Sequence, residues 1–221
     1  FLELHEKVSF VDAIKLLAQR FGISLPEPEQ STDEQRAHAA DREGLLKIHE
    51  VAAAWFRQQL QAPSGARIRQ QLDERRITQA TSEILGLGFA PQGRESLTQA
   101  LSSAGFSTGL QVRAGLVFQR DDGSVVDRFR NRLMIPIARD TGSVIAFGGR
   151  AVEDGQQPKY LNSPETPIYT KSRTLYGLNL SKAAIRQGGF AVLVEGYFDF
   201  AQVYQSGFQA VVASCGTALT P

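Results

Sequence analysis

The residues best suited to chemistry stand at the end of one predicted strand. Glu195 directly follows the apolar run 191–194, and Asp199 opens a short predicted helix. Open α/β sheets form their sites at the carboxyl ends of strands, and a carboxylate there can bind Mg²⁺ or act as a general acid or base. Gly196 would let a backbone or a phosphate approach closely. For Asp199 alone, simple capping of the helix N-terminus is the favoured interpretation.

A second group of residues suits phosphate. Three stretches, 148–150, 158–167 and 171–173, carry four cations and one amide on backbone that reads as loop: Arg150, Lys159, Asn162, Lys171 and Arg173. Arginine offers a planar fork of donors and lysine a compact point charge, and both match phosphate oxygens. These stretches therefore predict a clamp for a polyphosphate or a nucleic-acid backbone.

Further cations flank Phe129, just before a predicted strand. Alternation along a strand would put Arg130 and Arg132 on one face and Phe129 on the other, so Phe129 is expected in the core. Ordinary solvated surface stays an open interpretation for three other arginines: Arg113, Arg120 and Arg128.

Composition excludes several classes of protein. The single cysteine, Cys215, rules out an internal disulfide or an all-cysteine metal site, and its place after a strand favours a structural thiol. The three histidines lack zinc-ligand spacing, and no apolar run approaches the roughly 18 residues of a membrane span. The net charge is +1, but residues 111–190 carry 12 Lys/Arg against 7 Asp/Glu. Such a local excess suits a polyanionic partner.

Helical spacing of apolar residues dominates the first half. It predicts helices over 9–21 and from about Asp33 to Gln61, with Trp55 and Phe56 in the core and not stacked on bases. Shorter helices are predicted over three ranges: 66–75, 78–85 and 94–104. The proline-punctuated stretch 26–36 predicts a linker, and 86–91 a turn.

Short β-rich runs follow from about Val112. Strands are predicted at 125–126, 133–137 and 144–147, with a hairpin turn at 140–142. Pro136 favours an edge or bulged strand, and 155–179 is expected to be a long ordered loop. The end of the chain predicts a βαβ unit: a buried strand at 191–194, a helix at 199–205 and a second strand at 210–213.

Five motifs, in this order, resemble those of bacterial DnaG-type primases. They are Asp127-Arg128-Phe129-Arg130-Asn131-Arg132, Phe147-Gly148-Gly149-Arg150, Pro158-Lys159-Tyr160-Leu161-Asn162-Ser163-Pro164-Glu165-Thr166, Leu175-Tyr176-Gly177-Leu178 and Val194-Glu195-Gly196-Tyr197-Phe198-Asp199. The third is the most specific, whereas Glu-Gly-x-x-Asp after a strand occurs in every TOPRIM domain. Arg75 within 72–77 and the turn at 88–91 extend the resemblance over essentially the whole chain.

The resemblance implies a domain organisation and a fold class. Residues 1–25 would be the helical tail of a preceding zinc-binding domain, 26–36 a linker, 37–188 the N-terminal basic subdomain of the catalytic core, and 189–221 the start of a truncated TOPRIM domain. The fold class would be an α+β subdomain, with helices and short antiparallel strands, followed by the first βαβ of an α/β TOPRIM fold.

The same resemblance implies template-directed synthesis of short RNA primers on single-stranded DNA, by Mg-dependent nucleotidyl transfer. Glu195 would be the catalytic and metal-binding glutamate, supported by Gly196 and Asp199. Binding of nucleotide or nucleic acid would fall to seven residues: Arg75, Arg130, Arg132, Arg150, Lys159, Asn162 and Lys171.

Cofactors and partners follow from the family. Mg²⁺ or Mn²⁺ would occupy the complete TOPRIM site, and Zn²⁺ only the absent N-terminal domain. The partners would be the single-stranded DNA template, the RNA primer, nucleoside triphosphates, the replicative helicase through an absent C-terminal domain, and single-strand-binding protein, with no membrane. The protein would work in the bacterial cytoplasm, at replication forks of the nucleoid.

Two other functions stay open. The chain could be a stand-alone module that binds single-stranded nucleic acid or nucleotides. It could instead be another TOPRIM enzyme, a nuclease or a topoisomerase, although no tyrosine stands in a recognisable strand-cleavage context and the motif at 158–166 argues against that class.

The first prediction concerns activity of the isolated chain. The family's later Asp-x-Asp pair has no counterpart before Pro221, and two-metal phosphoryl transfer needs several carboxylates held together. We therefore expect the 221-residue chain alone not to extend RNA primers on a DNA template, measured by incorporation of labelled ribonucleotides. Extension above the level of a Glu195→Gln control would contradict this expectation.

Overall fold

The computed structural model describes residues 17, 18, 20, 21 and 33–216. The chain divides into two compact units, residues 1–40 and 41–221. Residues 17, 18, 20 and 21 are helical, in line with the predicted helix, whose other residues lie outside the described part. Most of the predicted linker also lies outside it. Its last four residues, 33–36, belong to the helix that the sequence also predicted to begin at about Asp33.

The longest element is helix α1 (Asp33–Gln61), as the apolar spacing predicts. Its buried face carries Leu45, Ile48 and Phe56, and Trp55 packs beside them, so both rings serve the core. A 3₁₀ turn, Pro63–Gly65, follows α1. None of the described helices is long and apolar enough to cross a membrane.

Six shorter helices follow in the described part of the chain. They are α2 (Ala66–Glu74), α3 (Gln79–Ile84), α4 (Ser96–Ser103), α5 (Thr108–Arg113), α6 (Leu178–Gly188) and α7 (Tyr197–Gln205). The predictions of α2, α3, α4 and α7 are confirmed. Helices α5 and α6 were not predicted, although Ser107 caps α5 by accepting a hydrogen bond from Leu110 N at 3.4 Å. Gly177, the residue before helix α6, has a left-handed backbone and offers no side-chain cap.

Eight strands form three sheets in the same part of the chain. They are β1 (Gly88–Ala90), β2 (Val117–Gln119), β3 (Val125–Asp127), β4 (Arg132–Ala138), β5 (Val144–Ala151), β6 (Tyr160–Asn162), β7 (Val192–Val194) and β8 (Val211–Ala213). The main sheet is antiparallel with order β1-β4-β5-β6, β2 and β3 form a hairpin, and β7 and β8 are parallel. The predicted α+β class and the closing βαβ unit are confirmed.

The turn predicted at 86–91 is wrong, because β1 occupies its centre. Gly88 pairs with Met134 and lies against helix α1, where a Cβ on Gly88 would come within 2.6 Å of the Cβ of Phe56. The glycine therefore marks close packing of a strand on a helix. The hairpin turn at 140–142 is confirmed, since Arg139 N donates to Ser143 O at 3.0 Å.

Pro136 lies in an interior strand and not in an edge strand, whereas the other predicted alternative, a bulged strand, agrees with an irregularity next to it. The conflict is local, because β1 pairs only with residues 132–134 of β4 and does not reach Pro136. A register shift follows between Ile137 and Ala138. Proline is tolerated where its missing N–H would have no partner.

The strand predicted as buried at 191–194 is also a correction. Val192 and Leu193 of β7 are 38% and 44% exposed, because in the described part of the chain β7 pairs only with β8 and lacks a second covering layer. The loop predicted at 155–179 contains strand β6 and a 3₁₀ turn, Lys171–Arg173.

Asp127 ties the small hairpin to the helical half. Its carboxylate accepts hydrogen bonds from Leu97 N at 2.7 Å and from Thr98 N at 2.9 Å, the free amides in the first turn of α4. Burial raises the pKa of this carboxyl, against the opposing effect of those bonds. Asp127, the first residue of the arginine-rich motif, therefore caps the N-terminus of helix α4, although it lies 30 residues after Leu97 in the sequence.

His49 is buried where α1 meets the main sheet. Its Nδ1–H donates to Leu45 O at 2.7 Å, Nε2 has no hydrogen-bond partner among the described residues, and the ring stacks on Phe147 at 5.8 Å. Burial lowers the pKa of His49 from 6.5 to about 4.

This histidine predicts a loss of stability in acid. Between pH 6.5 and about 4 the unfolded chain binds a proton at His49 and the folded chain does not, so the free energy of unfolding decreases as the pH is lowered through that window. Over the whole window the free energy of unfolding should decrease by about 3 kcal/mol because of His49. Denaturant titrations across this window should show a shallower pH dependence for His49→Leu. His38→Leu, at an exposed position of the same helix, is the control, and parallel curves for His49→Leu and wild type would refute the prediction.

Candidate nucleic-acid and catalytic site

Strand β6 separates two open clefts. Tyr160 and Asn162 line one of about 560 Å³, and Leu161 lines the other of about 500 Å³, as side-chain alternation along a strand requires. We name the first the acidic cleft, which also contains Glu195, Gly196, Tyr197, Asp199, Ser214, Cys215 and Gly216. We name the second the arginine cleft, which contains Arg94, Arg128, Arg130 and Arg132 with Gln92, Asn131, Glu153, Gln156, Gln157 and Pro158.

Glu195 occupies the predicted position at the carboxyl end of β7. Cys215 N donates to Glu195 O at 2.9 Å, which fixes the backbone of this residue at the end of the paired strands. Its side chain is exposed to the acidic cleft. Asp199 accepts a hydrogen bond from Gly196 N at 3.0 Å, so one of its oxygens caps α7, as the capping interpretation predicts.

The backbone angles at position 196 do not require a glycine. Its φ of −132° and ψ of 170° are open to any residue. A Cβ there would lie 3.2 Å from Asp199 Oδ2, so the absence of a side chain keeps this cap compact.

Arg150 and Asn162 lie on strands, so the predicted loop clamp needs correction. The two glycines before Arg150 belong to β5, where a Cβ on Gly148 would come within 2.6 Å of the Tyr197 hydroxyl and one on Gly149 within 2.8 Å of the Phe129 ring. They permit close packing and give no loop flexibility.

Tyr197 completes one wall of the acidic cleft. Its hydroxyl donates to Asn162 Oδ1 at 3.0 Å, and burial raises the pKa of the phenol far above its usual value. The carbonyl oxygen of Asn162 is thereby engaged, and its NH₂ group is the remaining donor for a ligand.

Lys171 reaches the rim of the acidic cleft. Its Nζ lies 4.0 Å from the position that a Cβ on Gly216 would occupy, and its backbone N donates to Glu165 Oε1 at 3.2 Å. Beside it, burial raises the pKa of Cys215 to about 12, so the thiol stays protonated and suits a structural role.

Arg75 and Arg150 both lie over the ring of Phe198, although 75 positions separate them in sequence. Their guanidinium carbons lie 5.0 and 5.4 Å from the centre of the Phe198 ring, within range of cation–π attraction. Arg150 is also paired with Tyr160 across β5 and β6, so its side chain lies on the sheet face that borders the acidic cleft, and Arg75 shares the Phe198 ring with it. Lys159, just before β6, has an exposed side chain, and its carbonyl accepts from Ala151 N at 2.9 Å.

Arg132 is buried, contrary to the expectation of a binding surface. Its Nη1 donates to Gly149 O at 3.1 Å and to Pro158 O at 2.8 Å, which joins β4 and β5 to the segment before β6. Residues 128–131 are not in a strand, and Asn131 has a left-handed backbone with φ of 50°, so the assumed alternation with Arg130 fails. Phe129 is in the core, as predicted.

Sequence reasoning missed three members of the clefts, Arg94, Arg128 and Tyr197, and it missed the Phe198 ring that contacts Arg75 and Arg150. Burial lowers the pKa of Arg128, for which solvated surface was an open interpretation, and its Nε has no partner among the described residues. Its place in the arginine-rich motif was a usable signal. Nothing in the sequence links Arg94 to that motif, because the two meet only in the folded chain.

The described residues do not by themselves fit a metal centre. No cluster of three or more His, Cys, Asp or Glu side chains able to hold an ion occurs among them. Glu195 supplies the hard oxygen donors that Mg²⁺ prefers, but one exposed carboxylate and one capping carboxylate are too few.

Comparison with known proteins decides the family. The family model described as DNA primase catalytic core, N-terminal domain, matches residues 55–182. The chain belongs to the DnaG-type DNA primase family. The DNA primase of Mycobacterium tuberculosis is 41% identical over 220 residues, covering 99% of this chain and 34% of that protein. This primase chain thus spans about a third of the length of that relative.

Solved structures agree with the family and the fold. The RNA polymerase domain of Mycobacterium tuberculosis primase DnaG matches with a TM-score of 0.77 at 41% identity, covering 81% of this primase chain and 59% of that one. A DnaG primase catalytic domain bound to single-stranded DNA matches with a TM-score of 0.75 at 36% identity, covering 82% and 58%.

Two arginines of the motif, Arg132 and Arg130, should differ in how much they contribute to stability. Arg132→Ala removes a buried guanidinium and leaves the carbonyls of Gly149 and Pro158 without this donor, which should lower the free energy of unfolding by about 2–4 kcal/mol. Arg130→Ala, at a half-buried position of the same cleft, should cost less than about 1 kcal/mol. Urea titration of both variants measures the difference, and equal losses would show that Arg132 is no structural link.

Proposed function

We propose that this chain supplies the nucleic-acid-binding part and one catalytic acid of a primase, which synthesises short RNA primers on single-stranded DNA. One observation carries the proposal: the carboxylate of Glu195 and the guanidinium groups of Arg75 and Arg150 stand around the same short segment, 195–199. An acid beside cations that lack carboxylate partners is the arrangement that nucleotidyl transfer requires, since the cations bind phosphates and the acid serves the reacting centre.

The relatives support the proposal at the level of the whole enzyme. They are DNA primases, and one solved catalytic domain was bound to single-stranded DNA. Since this chain spans about a third of its relative, primer synthesis itself is proposed for the complete protein.

Glu195 is proposed as the catalytic glutamate, with Gly196 and Asp199 shaping the turn that presents it. A divalent cation, Mg²⁺ or Mn²⁺, would polarise phosphate oxygens when bound. The described residues would contribute Glu195 to such a site, and the remaining ligands would have to come from elsewhere in the protein.

The two clefts suggest a division of binding. The cations and the amide near the acidic cleft are proposed to hold the triphosphate or the primer end: Arg75, Arg150, Asn162 and Lys171. The arginine cleft, with Arg130 and its neighbours Arg94 and Arg128, is proposed to hold the template backbone. Lys159, exposed beside β6, extends this surface, while Arg132 supports it from within.

A binding module is the second candidate for the isolated chain. The small number of carboxylates at the acidic cleft favours it, because binding needs only the cations whereas catalysis needs the complete metal site. Contacts with a helicase or single-strand-binding protein, and location in the cytoplasm, stay predictions.

Binding to single-stranded DNA over a salt series tests the proposal. Wild-type affinity should fall steeply with salt, and each of Arg150→Ala and Lys159→Ala should weaken binding and flatten the logarithmic salt slope by about 0.7, the value for one phosphate contact on a single strand. Fluorescence anisotropy of a labelled homothymidine oligonucleotide provides the measurement. Lys47→Ala, which removes an exposed lysine paired with Glu50 on α1, is the matched control. Slopes equal to wild type in both cleft variants would reduce the basic excess to ordinary solvated surface.

A further inference from the structure

One face of helix α7 contacts the turn that carries Arg75. Phe198, Gln202 and Gln205 follow one another at spacings of four and three, so they share a single face of the helix. Gln202 Nε2 donates to Arg75 O at 2.6 Å, and Gln205 Nε2 donates to Arg76 O at 2.7 Å. This face therefore holds the backbone of the turn by its carbonyl groups.

The turn itself has a defined conformation. Helix α2 ends there, Arg76 has a left-handed backbone with φ of 56°, and Ile77 N donates back to Leu72 O at 2.9 Å. Gln205 also accepts from Thr78 N at 3.3 Å, so the turn is held at both its donors and its acceptors. Arg75 therefore starts from a fixed backbone, although its side chain is exposed.

Arg150 reaches the same ring from the sheet. It lies on β5 and is half-buried, and its Nε has no hydrogen-bond partner among the described residues. No ion pair joins Arg75 or Arg150 to a carboxylate within the described part of the chain. The electron-rich face of the Phe198 ring attracts each of the two guanidinium groups.

We infer that Phe198 is a positioning residue, whose ring holds the guanidinium groups of Arg75 and of Arg150 in place so that both can bind phosphate groups of a nucleic acid or a nucleotide. The inference rests on the proposed function and adds to it the residue that assembles the cations. The aromatic ring keeps the guanidinium donors unpaired, and these donors match phosphate oxygens by geometry. Gln202 and Gln205 serve the same purpose by fixing the turn before Arg75.

Two probes distinguish the source of the phosphate. A labelled homothymidine oligonucleotide reports on the strand backbone, and a fluorescent ATP analogue reports on the triphosphate, each titrated with the 221-residue chain. Phe198→Leu should weaken the affinity for the oligonucleotide, for the ATP analogue or for both by about three- to tenfold. Phe198→Tyr keeps the ring and should bind to within about twofold of wild type. Phe208→Leu removes a half-exposed ring that packs on Phe190 instead, and should leave both affinities unchanged.

A double-mutant cycle separates positioning from folding. If Arg75 acts through Phe198, the double variant Phe198→Leu with Arg75→Ala should bind hardly more weakly than Arg75→Ala alone, whereas independent effects would multiply. The ring-current shift of the Arg75 and Arg150 side-chain protons in the wild-type chain adds a measurement that needs no folded variant. Protons over the ring should be shifted upfield, and random-coil values for both arginines would overturn the inference.

The outcomes also separate this inference from the function on which it rests. A wild-type chain that binds neither probe would overturn both. Weakened binding in Arg75→Ala and Arg150→Ala, combined with wild-type binding in Phe198→Leu, would overturn only the role of Phe198.

Discussion

Close packing on the glycine pair of β5 is the constraint on which the rest of the structure depends. Tyr197 lies against Gly148, and Phe129 and Arg132 lie against Gly149, at distances that leave no room for a Cβ. The preceding residue, Phe147, contacts the rings of His49, Phe56 and Phe129. Three separate regions, helix α1, the arginine-rich segment and helix α7, are thus set against one strand, and the two clefts are the spaces that remain beside it.

The chemistry of the two clefts follows from which groups are already satisfied. Three polar side chains are already hydrogen-bonded within the protein. Asp199 accepts from Gly196 N, Asn162 accepts from the Tyr197 hydroxyl, and Arg132 donates to two backbone carbonyls. Glu195, Arg75 and Arg150 do not have such partners among the described residues, and they remain available to a ligand. Residues of similar charge therefore divide into supporting and binding roles according to hydrogen bonding, which residue type alone does not reveal.

The sequence was sufficient where local pattern controls structure. The 3.6-residue spacing identified α1 with both its ends, and the turn residues at 140–142 identified the β4–β5 hairpin. The sequence was insufficient where contacts between residues far apart in the chain determine the role of a residue. Gly88 resembled a turn residue because its packing partner, Phe56, is 32 positions away, and Arg132 resembled a surface cation because its carbonyl partners lie 17 and 26 positions along the chain. The contact of Arg75 and Arg150 with the ring of Phe198 is likewise a tertiary event, so motif resemblance named both residues without predicting that they share one ring.

Strand β6 gives register an unusual importance. Its alternate side chains belong to different clefts, so a slip of one residue would send Leu161 to the acidic cleft and the Asn162 amide to the arginine cleft. The bonds just outside the strand prevent such a slip. Ala151 N donates to Lys159 O on one side, and on the other Ser163 donates through its N–H to Phe147 O at 2.8 Å while its hydroxyl accepts from Phe147 N at 3.0 Å. A buried serine with no place in either cleft thereby determines which face of the strand each ligand meets.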